Sequence, residues 1–353
     1  MGKRLRVVVA GAGFAGLNVA KELEDDCDVT LVAPTDRFVY VPLIHEVVSD
    51  NVLPTEVTRR LADVLKRTTL VHGRAARVEG KVLVTAAGER VPFDKLVVAV
   101  GAEPNDFGVK GVRENALTFS NVGDALRANG TLKTIASEVR DHAVRVVVVG
   151  GGFTGVEVAG EVAMLLDKLG VPREITILDA LPDIFPRQSA GFRAKVREQL
   201  DEMKLHLRTG QRIVEVRKDG IVVAGRDEPI PTDLTFWCAG VKPRTVDGVD
   251  PNVRVTLQSV GDDDVFVVGD AARFPRDMGV PQLAQTAEDQ AKVCAWNILY
   301  PDRPRYYEPH VKGIIVSIGH NRAVAELAGG MVLSGEIPWH VKRMLYKAKI
   351  AMT

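Results

Sequence analysis

Val146-Val147-Val148-Val149-Gly150-Gly151-Gly152-Phe153-Thr154-Gly155 sets four β-branched residues directly against a glycine cluster. The same plan stands 139 residues earlier, in Val7-Val8-Val9-Ala10-Gly11-Ala12-Gly13-Phe14-Ala15-Gly16. Both stretches read G-x-G-x-x-G at a strand-to-helix junction. In that pattern the first glycine permits a tight turn, the second lets a pyrophosphate approach the backbone, and the third lets helix and strand pack closely. The helix start then offers free N–H groups and a partial positive charge to phosphate. One copy is weak evidence. Two copies, each in the strand–turn–helix setting, point to two nucleotide sites and to electron transfer between them.

The surrounding sequence extends each copy into a β-α-β unit. The first uses residues 5–10, 15–24 and 28–33, and the second uses 144–149, 155–169 and 174–179. Near-continuous apolar strands alternating with helices predict parallel sheets covered on both faces. Further strands are expected within 71–101 and near 213–216, 220–224, 234–239 and 265–268, with helices near 122–140 and 283–299. The fold class is therefore α/β, with two Rossmann-like dinucleotide-binding domains, the second inserted in the first. Residues 1–118 and 249–330 are read as the first domain, 119–248 as the second, and 331–353 as a C-terminal segment. The turn-rich stretch 102–108 is a crossing between domains.

Composition narrows the class. Lys+Arg and Asp+Glu both total 46 in 353 residues, so no net charge favours nucleic acid. Cys27, Cys238 and Cys294 lie far apart without a C-x-x-C, which argues against a disulfide framework and suits a reducing compartment. The seven histidines show no metal-ligand spacing, and no metal is expected. Lys3, Arg4 and Arg6 before an apolar run imitate a secretory leader, but Gly11, Gly13 and Gly16 would break it. Met1-Gly2 followed by Arg6 lacks the hydroxyl residue of a myristoylation signal. No run approaches the ~20 apolar residues of a membrane span.

Acids at strand ends distinguish the two units. Asp179 follows Ile175-Thr176-Ile177-Leu178, where a carboxylate would bind ribose hydroxyls, and no Arg follows directly, which favours NADH over NADPH. The equivalent position in the first unit is Ala33, and the nearest acid is Asp36. Gly269-Asp270 after an apolar strand supplies another carboxylate, suited to a flavin's ribityl chain. It lies beyond the second unit, which splits the first domain.

With these motifs the chain resembles the two-dinucleotide-binding-domain flavoproteins, and within them the type II NADH dehydrogenases, the single-subunit NADH:quinone oxidoreductases. The resemblance covers about residues 5–340. Glu157 in Gly150-Gly151-Gly152-Phe153-Thr154-Gly155-Val156-Glu157, together with Ala284-Gln285-Thr286-Ala287 and Ile315-Val316-Ser317-Ile318-Gly319, narrows it to that family. It implies FAD, with FMN as the alternative, on Gly11, Gly13, Ala15, Gly16, Ala75, Gly101 and Asp270. It implies NADH on Gly152, Gly155, Asp179 and Gly240, with Glu157 beside the nicotinamide in the first turn of its helix. The other reading of Glu157 is an acid complementing the helix dipole.

The family's quinone motif, A-Q-x-A-x-Q, is matched by Ala284, Gln285 and Ala287, but Asp289 replaces the second Gln and Gln290 comes one residue later. Gln285 and Asp289 would share a helix face. An ionised Asp offers a quinone carbonyl no donor. Relatives that reduce disulfides or sulfide need reactive cysteines, and the three here read as packing residues. His45 and Glu46, after Pro42, could face the quinone side, though on sequence alone they read as structural.

The C-terminal stretch 339–352 places Val341, Met344, Leu345, Ala348 and Met352 on one helical face and Lys342, Arg343, Lys347 and Lys349 elsewhere. A basic amphipathic helix suits an anionic membrane surface, here the cytoplasmic side of the cell membrane, while packing on the body or on a second subunit in a homodimer is the other reading. Family members continue further at this end, so weaker anchoring or a shortened chain is implied. The expected activity is hydride transfer from NADH to flavin, then two electrons to a membrane quinone without ion pumping. Two other readings remain: a soluble NADH-dependent reductase of a ferredoxin- or rubredoxin-like protein, and a non-catalytic NADH-sensing flavoprotein.

Overall fold

Valine-rich strands buried on both faces build two parallel sheets, one in each of two compact units. The computed structural model describes residues 4–139 and 141–352. Met1, Gly2 and Lys3, part of the leader reading, lie outside the described residues, as does Arg140 at the end of the expected helix.

The first unit comprises residues 1–39, 58–103 and 242–311. Its five-stranded sheet runs Val265–Val267, Lys95–Val98, Arg6–Ala10, Asp28–Ala33, Thr69–His72, all parallel. The chain leaves the central strand Arg6–Ala10 in one direction through Asp28–Ala33 and returns on its other side through Lys95–Val98. That reversal makes a topological switch point, where open α/β sheets bind ligands. Helices Phe14–Leu23 and Ala284–Leu299 pack on each other. Val8, Val32, Leu96, Val98, Val265 and Phe93 close the core with the antiparallel meander Ala75–Glu79, Val82–Thr85, Arg90–Pro92. Each such side chain contributes roughly 1.5–3 kcal/mol on burial.

The second unit comprises residues 40–57, 104–241 and 312–353. Its parallel sheet runs Ala116–Thr118, Leu234–Trp237, Val144–Val149, Arg173–Leu178, Leu205–Arg208, again reversing at the central strand. Helix Phe153–Lys168 follows the glycine turn. Strands Gly313–Ser317, Ala323–Leu327 and Val332–Gly335 form an antiparallel meander that leads into helix Glu336–Met352.

The division differs from the boundaries read from sequence. The chain crosses between units at 103/104 and 241/242, not at 118/119 and 248/249. Ala116–Thr118 hydrogen-bonds to Leu234–Trp237, so the stretch before 118 belongs to the second sheet. Residues 40–57 join the second unit through the short helix His45–Val48, which packs on Val122–Glu138 and Phe153–Lys168. The segment expected at 331–353 is not separate either. Its first part is the third strand of the meander, and only Glu336–Met352 is helix.

Candidate functional site

In both units the glycines divide into two kinds. A Cβ at Gly11 would stand 2.3 Å from Ala99 O, and one at Gly16 would stand 1.9 Å from Gly11 O. In the second unit the figures are 2.3 Å from Cys238 O at Gly150 and 1.9 Å from Gly150 O at Gly155. These four glycines let backbone touch backbone. Gly13 and Gly152 are the N-caps of their helices, without a side-chain cap, and open space faces both. The middle glycines thus leave room for a phosphate in front of uncapped helix ends, and the cradle fits a dinucleotide in each unit.

Around the first cradle, Gly269 takes a left-handed φ of 67°, and a Cβ there would lie 3.2 Å from the Ala15 side chain. The Gly269–Ala271 turn therefore sits on the glycine-turn helix and presents Asp270 beside it. Burial pushes the Asp270 carboxyl above its ordinary value. Ala75 starts the strand Ala75–Glu79, and Gly101 has left-handed φ and an open side. Ala284, Gln285 and Asp289 share helix Ala284–Leu299. Asp289 keeps a loose pairing with Lys292, 3.9 Å away. Gln290, one residue past the family's glutamine position, is tied to the Asp270 turn. It is buried, and its Oε1 accepts the Gly269 N–H at 2.6 Å, which holds the Asp270 turn in place.

Around the second cradle, Asp179 stands just past the end of strand Arg173–Leu178. Its Oδ2 accepts the Gly151 N–H at 2.6 Å and its Oδ1 accepts the Leu181 N–H at 2.7 Å. Two backbone donors thus fix a carboxylate at the glycine turn. Gly240, with φ 130°, lies just past the carboxyl end of strand Leu234–Trp237.

Glu157 lies one turn deeper in its helix than expected. Helix Phe153–Lys168 begins right after Gly152, which puts Glu157 in its second turn, beyond the reach of the end dipole. Its partners are the Ser317 N–H, which donates to Oε1 at 3.4 Å, and several side chains. Lys342, from helix Glu336–Met352, donates to Glu157 Oε1 and to Ser317 Oγ, the latter at 2.6 Å. His45 Nδ1 lies 3.7 Å from Glu157 Oε2, and His45 Nε2 lies 3.0 Å from Ser317 Oγ. Burial works against the Glu157 carboxylate, but the His45 ring and the Lys342 ammonium outweigh it and hold it below its usual range. Burial drives His45 down to about 4, so at neutral pH the ring is uncharged and Lys342 is the standing counter-ion.

One turn further along, Glu161 is 1 % exposed and accepts from Ser49 Oγ and, at 3.1 Å, from Asn51 Nδ2. Burial lifts it to about 8, against the pull of Ser49. Glu46 accepts from Arg343 at 2.9 Å, while its Oε1 is buried without a partner. Burial raises Glu46 as well, against Arg343. Glu157 and Glu46 pair with Lys342 and Arg343, while among the described residues no cation contacts Glu161 directly; Lys168 reaches only the Ser49 carbonyl and Asn51 Oδ1 beside it. A neutral Glu161 balances the cluster.

Sequence reading missed most of this cluster. Lys342, only 1 % exposed in its side chain, was expected on a solvated basic face, as was Arg343; buried carboxylates draw both inward. His45 and Glu46, read as structural, are buried members of the same cluster. The spacing Glu157-x-x-x-Glu161 among small and apolar residues was a usable signal. Ser317 was quoted only as part of a family segment, and nothing local marks Ser49. The three cysteines are free, Cys27 and Cys294 are buried, and burial pushes the Cys238 thiol up to about 12. That is the wrong direction for a reactive thiolate. Among the described residues no group of His, Cys, Asp and Glu could hold a metal ion.

Comparison with known proteins assigns the chain to a class. Residues 5–291 match the family described as pyridine nucleotide-disulphide oxidoreductase. The chain is 30% identical to the type II NADH:quinone oxidoreductase NdhA of Mycobacterium tuberculosis, over 96% of this chain and 82% of that one. It is 29% identical to the type II NADH:quinone oxidoreductase of Haemophilus influenzae, over 91% and 86%. The solved structure of NDH2 from Plasmodium falciparum in complex with NADH shares the fold, with a TM-score of 0.86 at 17% identity over 97% of this chain and 94% of that one. Within that class, the chain belongs to the type II NADH:quinone oxidoreductases. Electrons pass from NADH to a quinone, which sets aside the ferredoxin-type and sensor readings.

Proposed function

We propose that FAD occupies the first unit and NADH the second, and that the enzyme works against a membrane surface. The asymmetry of the strand-end acids supports this division. Asp179 stands braced at the second glycine turn, as a ribose-binding carboxylate should, whereas Ala33 leaves the first turn without one. The first turn has Asp270 instead, held against Ala15 and suited to the polyol chain of a flavin. FAD, when bound, supplies the two-electron relay between the dihydronicotinamide and the quinone. The chain's own part is placement and charge. Gly13 and Gly152 receive the pyrophosphates, Gly101 and Gly240 line the cofactors, and Ala75 reaches the adenine of FAD through its backbone. Lys342 keeps Glu157 ionised beside the nicotinamide. Ala284 and Gln285 face the quinone, and Asp289 next to them offers a carboxylate that must be protonated before it can donate to a quinone oxygen.

Paired glycine variants test the division. Gly16→Ala is expected to strip bound flavin, read as loss of its visible absorbance, because the new Cβ pushes the helix from its strand. Gly155→Ala is expected to keep flavin and lose NADH-dependent reduction. The opposite pattern would reverse the assignment.

The membrane reading rests on helix Glu336–Met352. Ile337, Val341, Met344 and Leu345 are exposed on it, at 71%, 43%, 71% and 51%. The side chain of Met352, expected on the same face, lies outside the described residues. No helix among the described residues is long and apolar enough to cross a membrane. The apolar face suits the interfacial layer of an anionic bilayer on the cytoplasmic side, with a second copy of the chain as the competing occupant. Met344→Asp is expected to abolish co-flotation with anionic vesicles and to leave reduction of a water-soluble quinone intact; unchanged flotation would remove the membrane reading.

A further inference from the structure

One aromatic side chain in the second unit has no role in the activity so far. Phe107 is 62% exposed and sits at φ 50°, in the left-handed region that a bulky side chain avoids. Such a conformation persists only where its surroundings enforce it, and it concentrates at functional sites. The surroundings here do enforce it. The Phe107 N–H donates to Asn105 Oδ1 at 3.0 Å, and the Gly108 N–H donates to Asp106 Oδ1 at 3.1 Å. Trp237 Nε1 donates to the Asn105 carbonyl at 2.7 Å, and the Asn105 N–H donates to the Gly240 carbonyl at 3.0 Å. Arg113 holds the Asp106 carboxylate at 2.8 Å. The loop is thereby fastened to the end of strand Leu234–Trp237 with its ring outward. A Cβ at Gly240 would lie 3.8 Å from Phe107 Cζ, so the ring stands directly beside that glycine.

The sheet says which part of a ligand passes there. A dinucleotide bound at a switch point lies across the carboxyl ends of the strands, its pyrophosphate at the central glycine turn. Asp179, on the Arg173–Leu178 side, takes the adenosine half. Leu234–Trp237 pairs with the other edge of the central strand, so the nicotinamide half runs toward Gly240 and Phe107. We propose that Phe107 is a specificity-determining contact for the nicotinamide half of NADH, its ring held ready by a strained and fastened loop to pack against the planar, uncharged dihydronicotinamide. This rests on the placement of NADH in the second unit.

The test compares two ligands on the flavin-loaded protein by calorimetry. One is 1,4,5,6-tetrahydro-NAD, which cannot give up hydride; the other is ADP-ribose, which lacks the nicotinamide ring. Phe107→Ala is expected to weaken tetrahydro-NAD about tenfold and ADP-ribose less than twofold, with flavin content unchanged. Phe107→Trp should restore most of the affinity. Phe107→Gly should relieve the backbone strain and raise the melting temperature, yet bind tetrahydro-NAD as poorly as the alanine variant. Equal weakening of both ligands, no weakening of either, or full affinity in the glycine variant overturns the proposal. Asp179→Ala separates this failure from that of the reading beneath it. If Asp179→Ala weakens both ligands while Phe107→Ala weakens neither, only the role of Phe107 falls; if Asp179→Ala also changes nothing, the placement of NADH falls.

Discussion

Lys342→Met will destabilise the enzyme by about 3–5 kcal/mol, because it removes one partner of a buried ion pair and leaves the other behind. Glu157 would then lose its ammonium partner and keep only His45 and the Ser317 N–H, so its carboxyl would rise. The sign of the pH effect follows. In the parent protein the depressed Glu157 contributes stability above its unfolded pKa, and this is lost as pH falls through the lower folded value. In Lys342→Met that contribution is gone at neutral pH, so the gap between the two proteins is widest there and closes in acid. A melting temperature lowered by roughly 6–15 °C at pH 7 is the corresponding reading. The double variant Lys342→Met, Glu157→Gln should recover most of the loss, since it removes the stranded charge as well. A double variant as unstable as the single one would show that Lys342 stabilises by packing alone.

Glu161→Gln will do the reverse and stabilise the protein at alkaline pH. A carboxyl raised to about 8 keeps its proton in the folded chain while the unfolded chain loses it near the ordinary value. Between those two values the unfolded state binds fewer protons, so the parent's stability falls with rising pH and levels off above about 8. Glutamine keeps the oxygen that accepts from Ser49 and Asn51 but never titrates. The variant should lie within about 1 kcal/mol of the parent near pH 5 and gain about 4 kcal/mol on it by pH 8.5. Chemical denaturation at the two pH values measures the difference. An equal offset at both would mean that Glu161 is ionised in the folded state and balanced by a cation.

The glycine turns were legible because a backbone that must touch a neighbouring backbone accepts only one residue type. Gly11, Gly16, Gly150 and Gly155 all meet main-chain atoms closer than any Cβ could stand. The strands beside them were equally plain, since burial on both faces leaves an unbroken apolar run. The unit boundaries were harder. Ala116–Thr118 is a three-residue edge strand, half-buried throughout, with no pattern that tells which sheet it joins. The charged cluster was the least legible part. Helical periodicity counts a lysine as polar and turns it to water, and nothing near Lys342 reports an acid 185 residues upstream. Glu157 and Glu161 lie on a helix whose neighbours come from 45–51, 317 and 342–343, so the cluster exists only once the chain has folded.

Helix Glu336–Met352 carries different chemistry on opposite sides of one rod. Lys342 and Arg343 reach inward to carboxylates, while Ile337, Val341, Met344 and Leu345 look outward. If the outer face is the membrane contact proposed above, that contact and the charge cluster are mechanically one part. Trimming this helix to obtain a better-behaved protein would withdraw the cation beside Glu157 along with the sticky surface. Whatever holds the outer side holds the inner one in register.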